Sequence, residues 1–503
     1  VHKSPEGQIQ KYGMDLCRYA DAMTGLSKSR LMSFLQCPKR LWLERHQPDL
    51  VQFSAATEAA FATGHEIGDI ARQLYDPDGT GTLISGAGGM AAALRDTAAA
   101  LASPAATPLF EATFERDGLL IRADVLDRPA KRLVEVKSST SCKDEHVTDC
   151  AIQAWVLETS AVAPKAVALA HVNNQFVYGG DGDYRGLLVE KVLGTAISAQ
   201  RKQVPAWLAA AKQTVEGSCP DAAIGRRCRT PYACPFIAHC WPDTDYPLTT
   251  LPGIGRRLDE LLAQGYKDLR DLPASMVSGK ESQRVWRAAR SGQPEVSDSV
   301  RAELAALDWP RYYLDFETIG GAIPRWAGIR PYQAVPFQWS LHIESAPGQL
   351  QHAEFLDLSG EFPARAVATA LLAAIGTAGP VLTYTGYEKQ CLGMLAAFCP
   401  ELADGLAAVV ERLVDLHPIV KRAYYHPAMK GSWSIKTLLP AIAPEMDYAQ
   451  LDGVHEGRGA QLAWMEAVAP QTLAARRSEL RAQLLRYCGH DTLAMVRVVN
   501  FFS

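Results

Sequence analysis

The chain of 503 residues has no apolar run long enough to cross a bilayer as a helix, which removes integral helical membrane proteins from the classes it can join. Its opening stretch, VHKSPEGQIQKYGMDL, lacks the apolar segment of a secretory signal and reads as a polar tail over residues 1–26. A cytoplasmic chain with no membrane partner is therefore expected. Charge of one sign is not in excess. Lys and Arg number 51 and Asp and Glu 55, for a formal net charge of −4. No global positive field advertises nucleic acid, and only a local basic groove stays open. The eleven cysteines are an odd number behind no signal, which argues against a disulfide framework. Paired Cys-x-x-Cys knuckles, the usual zinc signature, are missing as well. There is no tandem repeat and no low-complexity tract; alanine-rich pieces such as AAALRDTAAALAS read as helix.

What is present is globular. Hydrophobic residues make up 48% and charged residues 21%, and the length calls for two or three cores. SKSRLMSFLQCPKRLWLERH, residues 27–46, reads as one capped amphipathic helix, and another helical stretch lies near 57–75. LFEATFERDGLLIRADVLDRPAKRLVEVKSST reads as three strands joined by turns. TDCAIQAWVLETS returns to helix, AVALAHVNNQFVYG to strand, and a helix near 197–215 follows. TDYPLTT, at 244–250, looks like a boundary, and a new strand pattern starts at RYYLDFETIG.

In LVEVKSST, residues 133–140, Glu135 and Lys137 stand two apart on a strand and so face the same way. Burying such a pair is costly unless it is matched or does chemistry. Asp124, with ten residues between it and Glu135, comes beside it if the two strands form a hairpin. Two converging carboxylates suit Mg²⁺ or Mn²⁺, which polarise a phosphodiester and lower the pKa of a bound water. A single Glu-x-Lys is usually a surface ion pair. Here His65, Asp124, Glu135, Lys137 and Gln153 occur in order. This series resembles the RecB-like branch of the PD-(D/E)xK nucleases. The resemblance implies one metal site built from all five, with His65, Asp124 and Glu135 among the ligands. Leu157 stands where that family often has tyrosine, so the tyrosine's role does not carry over.

Cys228, Cys234 and Cys240 are separated by five residues each in CRTPYACPFIAHC, and Cys37 lies far upstream in QCPKR. Four thiolates can hold a [4Fe–4S] cluster or a zinc ion. Bound metal is the main reason to cluster thiols in a reducing compartment, the alternative being ordinary buried cysteines. One early cysteine and three late ones bracketing the core resemble the iron–sulfur nucleases of the CRISPR-adaptation and AddB types, with a longer first gap in the trio. The resemblance implies a cluster that staples the ends of the domain and closes a long loop. Cys17, Cys142, Cys150 and Cys219 are read as non-ligands.

The middle segment offers less. LPGIG and the helix after it resemble half of a helix–hairpin–helix, and a plain helical linker fits equally well. Arg284, Arg287 and Arg290 share a helical face, either as a row tracking a phosphate backbone or as a solvated face.

YYLDFET carries Asp315 and Glu317 on one face of an apolar strand. LRYCGHDTLAMV sets Tyr487 and Asp491 one helical turn apart, with His490 pointing elsewhere. These residues resemble the tyrosine subtype of the DEDD exonucleases, whose fold is ribonuclease H-like. In VLTYTGYEKQCL, Thr385 stands where that family has Asn and Glu388 where it has Asp; Asp415 in LVDLHPIV competes for the same place. GSWSIKTLLP resembles a Ser-Leu-Lys element of some members, which brings Lys436 toward phosphate. The resemblance implies four acids holding two ions about 4 Å apart that clamp the attacking and leaving oxygens, with Tyr487 orienting the water.

The expected whole is an α/β multidomain chain. It has a tail at 1–26 and a RecB-like PD-(D/E)xK nuclease with an iron–sulfur cluster at 27–245. A helical linker at 246–304 leads to a ribonuclease H-like domain at 305–503. The resemblances imply a metal-dependent nuclease acting on DNA, as single strands or ends, in repair or in defence against foreign DNA. RNA processing and non-catalytic binding are the alternatives.

Overall fold

The structure is a computed structural model that describes residues 26–297, 299–451 and 453–502. The expected tail and Cys17 lie outside the described residues. The chain forms two compact α/β units: Val1–Pro242 with Gly321–Tyr332, and Asp243–Gly320 with Gln333–Ser503. Residues 246–304, expected as a linker, therefore belong to the second unit, and 321–332, expected inside the second domain, belong to the first.

The first unit opens with β1 (Leu26–Ser27), α1 (Lys28–Gln36) and α2 (Pro38–His46). The single helix expected over 27–46 is thus broken at Cys37. Pro38 lacks an N–H and disfavours helical backbone in the residue before it, and Cys37 is extended, with φ −161° and ψ 118°. Ser27 caps α1 by accepting from the Arg30 N–H. There follow α3 (Ala55–Tyr75), β2 (Thr82–Leu83), α4 (Gly89–Ala102), β3 (Leu109–Arg116), β4 (Leu119–Asp127) and β5 (Arg132–Lys137). The unit continues with α5 (Asp144–Leu157), β6 (Ala166–Val172), β7 (Leu188–Val192) and α6 (Gly194–Glu216).

The sheet runs β2-β3-β4-β5-β6-β7, with β1 added parallel to β4. Asp117 and Gly118, both at positive φ, turn β3 into β4, as a two-residue hairpin requires. Helix α5 carries the chain from β5 to the parallel β6. Its Ile152, Trp155 and Val156 join Ile121, Leu133 and Leu169 in the core, which fixes the helix over the sheet. Residues 321–332 dock on this unit: Ala322 and Ile323 pack with Ile67, Val172 and Leu187, and the Tyr332 hydroxyl donates to the Ser138 carbonyl.

The second unit contains α7 (Arg257–Ala263), α8 (Lys280–Ser291), β8 (Arg311–Ile319), β9 (Val335–Ala346), β10 (Gln349–Leu356) and α9 (Ala364–Ala374). Then come β11 (Val381–Thr383), α10 (Tyr387–Phe398), β12 (Leu413–Asp415), α11 (Leu416–Ala423), α12 (Ile435–Ile442) and α13 (Ala474–Phe502). The sheet order is β10-β9-β8-β11-β12, antiparallel across the first three strands and parallel across the last three. Alternation along β8 sends Tyr312, Leu314 and Phe316 into an apolar core with α9 and α10. Tyr313, Asp315 and Glu317 take the other face, where α13 packs. Strand order reverses between β8 and β11, and in open α/β sheets the crevice beyond the strand ends at such a reversal is where ligands bind.

The arginines of the α8 row have partners within the unit. Arg284 donates to the carbonyls of Lys421 and Arg422, Arg287 pairs with Glu295, and Arg290 lies over the Trp286 ring. Helix α7 is a short piece of seven residues. Among the described residues no helix is long and apolar enough to cross a membrane.

Candidate functional site

In the first unit, β4 and β5 pair Val125 with Val134 and Leu126 with Leu133. One further step of that register sets Asp124 against Glu135, as the hairpin argument expects. Asp124 Oδ2 accepts from the Val136 N–H at 2.8 Å. Across β4 the ladder pairs Phe110 with Val125 and Ala112 with Ala123, and Glu111 between them takes a left-handed φ of 56°. Such a backbone is uncommon outside glycine and gathers at functional places.

Lys137 Nζ lies 2.6 Å from Glu135 Oε1 and 2.9 Å from Asp149 Oδ2. Lys28, the first residue of α1, reaches the same two acids, at 3.0 Å from Glu135 Oε1 and 2.7 Å from Asp149 Oδ1. Gln153 donates to Glu135 Oε2 and, at 2.9 Å, to Asp149 Oδ1. Lys28 and Asp149 are absent from the sequence-based set. Asp149 stands four before Gln153 on α5, a spacing that puts both on one face and that the sequence does display. Lys28 had no local signal; it arrives because β1 pairs with β4.

Burial would raise Asp149, but Lys137 and Lys28 outweigh it and hold the acid well below the carboxylate range. Burial would lower both lysines, and Asp149 and Glu135 outweigh it and hold them up. Asp124 is pushed well up, first by burial and then by Glu135. Gln153 is fully buried and its Oε1 has no hydrogen-bond partner. His65 lies exposed on α3, the helix that packs against β4 and β5.

In the second unit, Asp315 and Glu317 point from β8 toward α13, which supplies Tyr487, Cys488 and Asp491. Asp315, Glu317 and Cys488 bring ligand atoms within 4.8 Å of one another. Glu388, in the first turn of α10, lies close enough to Asp315 that each carboxyl bears on the other's proton affinity. Its Oε2 is buried without a partner. Asp415 is used differently: its Oδ1 accepts from the N–H groups of Thr385 and His417, both at 2.9 Å, and caps α11. Of the two competing acids, Glu388 is the one that faces Asp315. Thr385, beside it, holds a φ of 100°, a strained conformation for a β-branched residue.

The four acids are all raised. Burial pushes Glu317 to about 8, aided by Asp491, and pushes Glu388 to about 8, aided by Asp415. Asp315 rises well above its ordinary value through burial and Asp491, and Asp491 through burial, against the pull of Tyr448. The Tyr448 hydroxyl donates to Asp491 Oδ1. Lys436 donates to the Tyr487 hydroxyl at 2.9 Å and to the His455 carbonyl at 3.0 Å, and the charge of Asp491 is felt at Tyr487. His490 turns away to the Met446 carbonyl, as expected. The ion pairs of this unit lie elsewhere, at Arg365–Glu401, Lys421–Glu281 and Arg422–Glu303 for example. Among the described residues none engages the four acids.

Cys37, Cys228, Cys234 and Cys240 line one cavity of the first unit, with Lys39 and Arg40 at its wall. Burial pushes the Cys234 thiol up to about 11, against Arg40. The Cys234 N–H donates to the Cys228 carbonyl at 2.8 Å, and Gln36 Nε2 donates to the carbonyls of Arg227 and Tyr232, both at 2.7 Å, tying the loop to α1. No three of the four sulfurs lie within 4.8 Å of one another. Cys219 is exposed, Cys150 buried in the core, and Cys142 half-buried.

Residues 312–434 match a family model described as a domain of unknown function, DUF2779. That span holds Asp315, Glu317 and Glu388 and stops short of Lys436, Tyr487 and Asp491. No curated protein and no solved structure matches the chain.

Proposed function

We propose that the chain is a metal-dependent nuclease with two phosphodiester-hydrolysing sites, one in each unit, acting on DNA as single strands or ends. One observation carries the reading: four carboxylates with raised pKa values, three of them buried and Asp315 half-buried, gather where the second sheet reverses, and the Glu388 Oε2 among them has no partner. A buried acceptor left unpaired costs about 1–3 kcal/mol, and oxygen-rich, anionic ligand sets fit Mg²⁺ or Mn²⁺.

Asp315, Glu317, Glu388 and Asp491 would hold the ions in the second unit. Asp124 and Glu135, with the unpartnered Gln153 oxygen beside them and His65 as the resemblance implies, would hold one in the first. A bound divalent ion polarises the phosphodiester and acidifies the attacking water. Tyr487, its proton directed by Lys436 and Asp491, orients that water as a hydrogen-bonding group; burial and Asp491 push its pKa up, so it does not serve as a base. Lys137 offsets charge developing on the phosphorus in the first site. The D-x-E strand at the sheet reversal supports the ribonuclease H-like reading, and the Asp124–Glu135–Lys137 hairpin supports the RecB-like one.

The four cysteines around one cavity support the [4Fe–4S] cluster that the resemblance implies, four thiolates being the usual ligands of such a cluster. A cytoplasmic setting in DNA repair or defence belongs to the same reading.

The test is incubation with 5′- and 3′-labelled single-stranded DNA and matched RNA in Mg²⁺ or Mn²⁺. Shortening of the DNA is expected. Cleavage of RNA alone would end the DNA assignment, and tight binding without turnover would end the enzyme reading.

A further inference from the structure

The first acid site carries one cation more than its proposed chemistry uses. Both oxygens of Glu135 are already engaged: Oε1 by Lys28 and Lys137, Oε2 by Gln153. A divalent ion that binds Glu135 through Oε1 must displace one of the two ammoniums. Charge points the same way. With Asp124 held toward its protonated form, Glu135 and Asp149 balance the two lysines; a divalent ion that ionises Asp124 makes four positive charges against three negative ones, and the loss of one ammonium restores balance. The two lysines differ in how they are held. Lys137 is fixed two residues along the strand that carries Glu135, in ladder with His171. Lys28 is the first residue of a helix, where the helix dipole disfavours a cation, and no strand ties it to Glu135.

We propose that Lys28 is an exchangeable counter-ion. It holds Glu135 and Asp149 in the metal-free site, leaves Glu135 when a divalent ion binds, and is then free to meet a phosphate of the nucleic acid. The inference rests on the reading of the first site as a metal site. It assigns Lys28 a second position and a competitive relation to the ion, which the sequence resemblance does not contain.

The experiment is Mn²⁺ titration of the full chain by calorimetry. Asp315→Asn and Glu317→Gln are present throughout, so that binding reports the first site. Lys28→Met is expected to bind Mn²⁺ about tenfold more tightly than Lys28, a shift of ~1.4 kcal/mol, and Lys28→Arg to stay near the parent. Unchanged or weaker binding in Lys28→Met would overturn the proposal. Should Lys28→Met fold poorly, acetylation footprinting of the parent decides. Lys28 is expected to become reactive when Mn²⁺ is added and to be protected without it; protection in both states overturns the exchange. Absence of any Mn²⁺ binding to parent and variant overturns both this inference and the metal-site reading beneath it, which keeps the two failures apart.

Discussion

In the first unit Asp124, Glu135 and Asp149 are met by two ammoniums in ion-pair contact, whereas in the second Asp315, Glu317, Glu388 and Asp491 meet one another, two tyrosines and a thiol. Both clusters are buried, so both pay for removing charge from water. The first repays it internally, and Asp149 stays ionised far into acid. The second leaves the cost standing, and its acids hold their protons toward neutral pH. The first site is therefore paired by contacting ammoniums without a metal, whereas in the second Lys436 only eases Glu317 and Asp491 without an ion pair and leaves the rest to protons or added cations.

The largest expected effect is loss of chemistry at the uncompensated site. Asp315→Asn removes a ligand from two-ion chemistry worth several kcal/mol, and cleavage assigned to the second unit is expected to fall by roughly a thousandfold. Lys137→Ala is expected to remove the other activity and spare this one, measured on the same labelled strands. Loss of both activities by either substitution would erase the distinction drawn between the units.

Cys234→Ser is expected to lose iron and with it the absorption near ~400 nm of a cluster, and to lower the unfolding temperature of the first unit while leaving metal-dependent stabilisation of the second intact. Retention of iron would take Cys234 out of the ligand set.

The pH response sharpens the comparison further. Glu317 and Glu388 have folded pKa values near 8, above those of the unfolded chain, so the folded state binds more protons between about pH 4.5 and 8 and its stability falls as pH rises through that window. The metal-free second unit is expected to lose stability from pH 5 to 8 and to regain it on adding Mg²⁺. The first unit moves less, because depressed Asp149 loses its contribution in acid while raised Asp124 works the other way. Thermal unfolding at several pH values, with and without metal, reads both.

The smallest effect belongs to Thr385→Gly. Glycine takes a φ of 100° without the penalty of a β-branched side chain, and a gain of about 1 kcal/mol in stability is expected from denaturant unfolding.

Much of this was legible in the residues, and the failures share a cause. The β3–β4–β5 meander follows from period-two patterning and Asp117-Gly118, and D-x-E, Glu-x-Lys and Tyr487-x-x-x-Asp491 announce themselves by strand and helix spacing. The break at Cys37 is written in Pro38, although the apolar spacing on either side runs on as if through one helix. Lys28, Tyr448 and the docking of residues 321–332 were not readable, because each depends on pairing between distant stretches that no local period encodes. The partners of the α8 arginines, from Glu295 to the carbonyls of Lys421 and Arg422, were unreadable for the same reason, coming partly from elsewhere in the chain.

The most direct measurement is Mn²⁺-dependent cleavage of end-labelled single-stranded DNA by the parent chain, Lys137→Ala, Asp315→Asn and the double variant. The account predicts that each single variant keeps one of two distinguishable activities and the double variant keeps neither. Cleavage that survives in the double variant, or its absence from the parent, would contradict it.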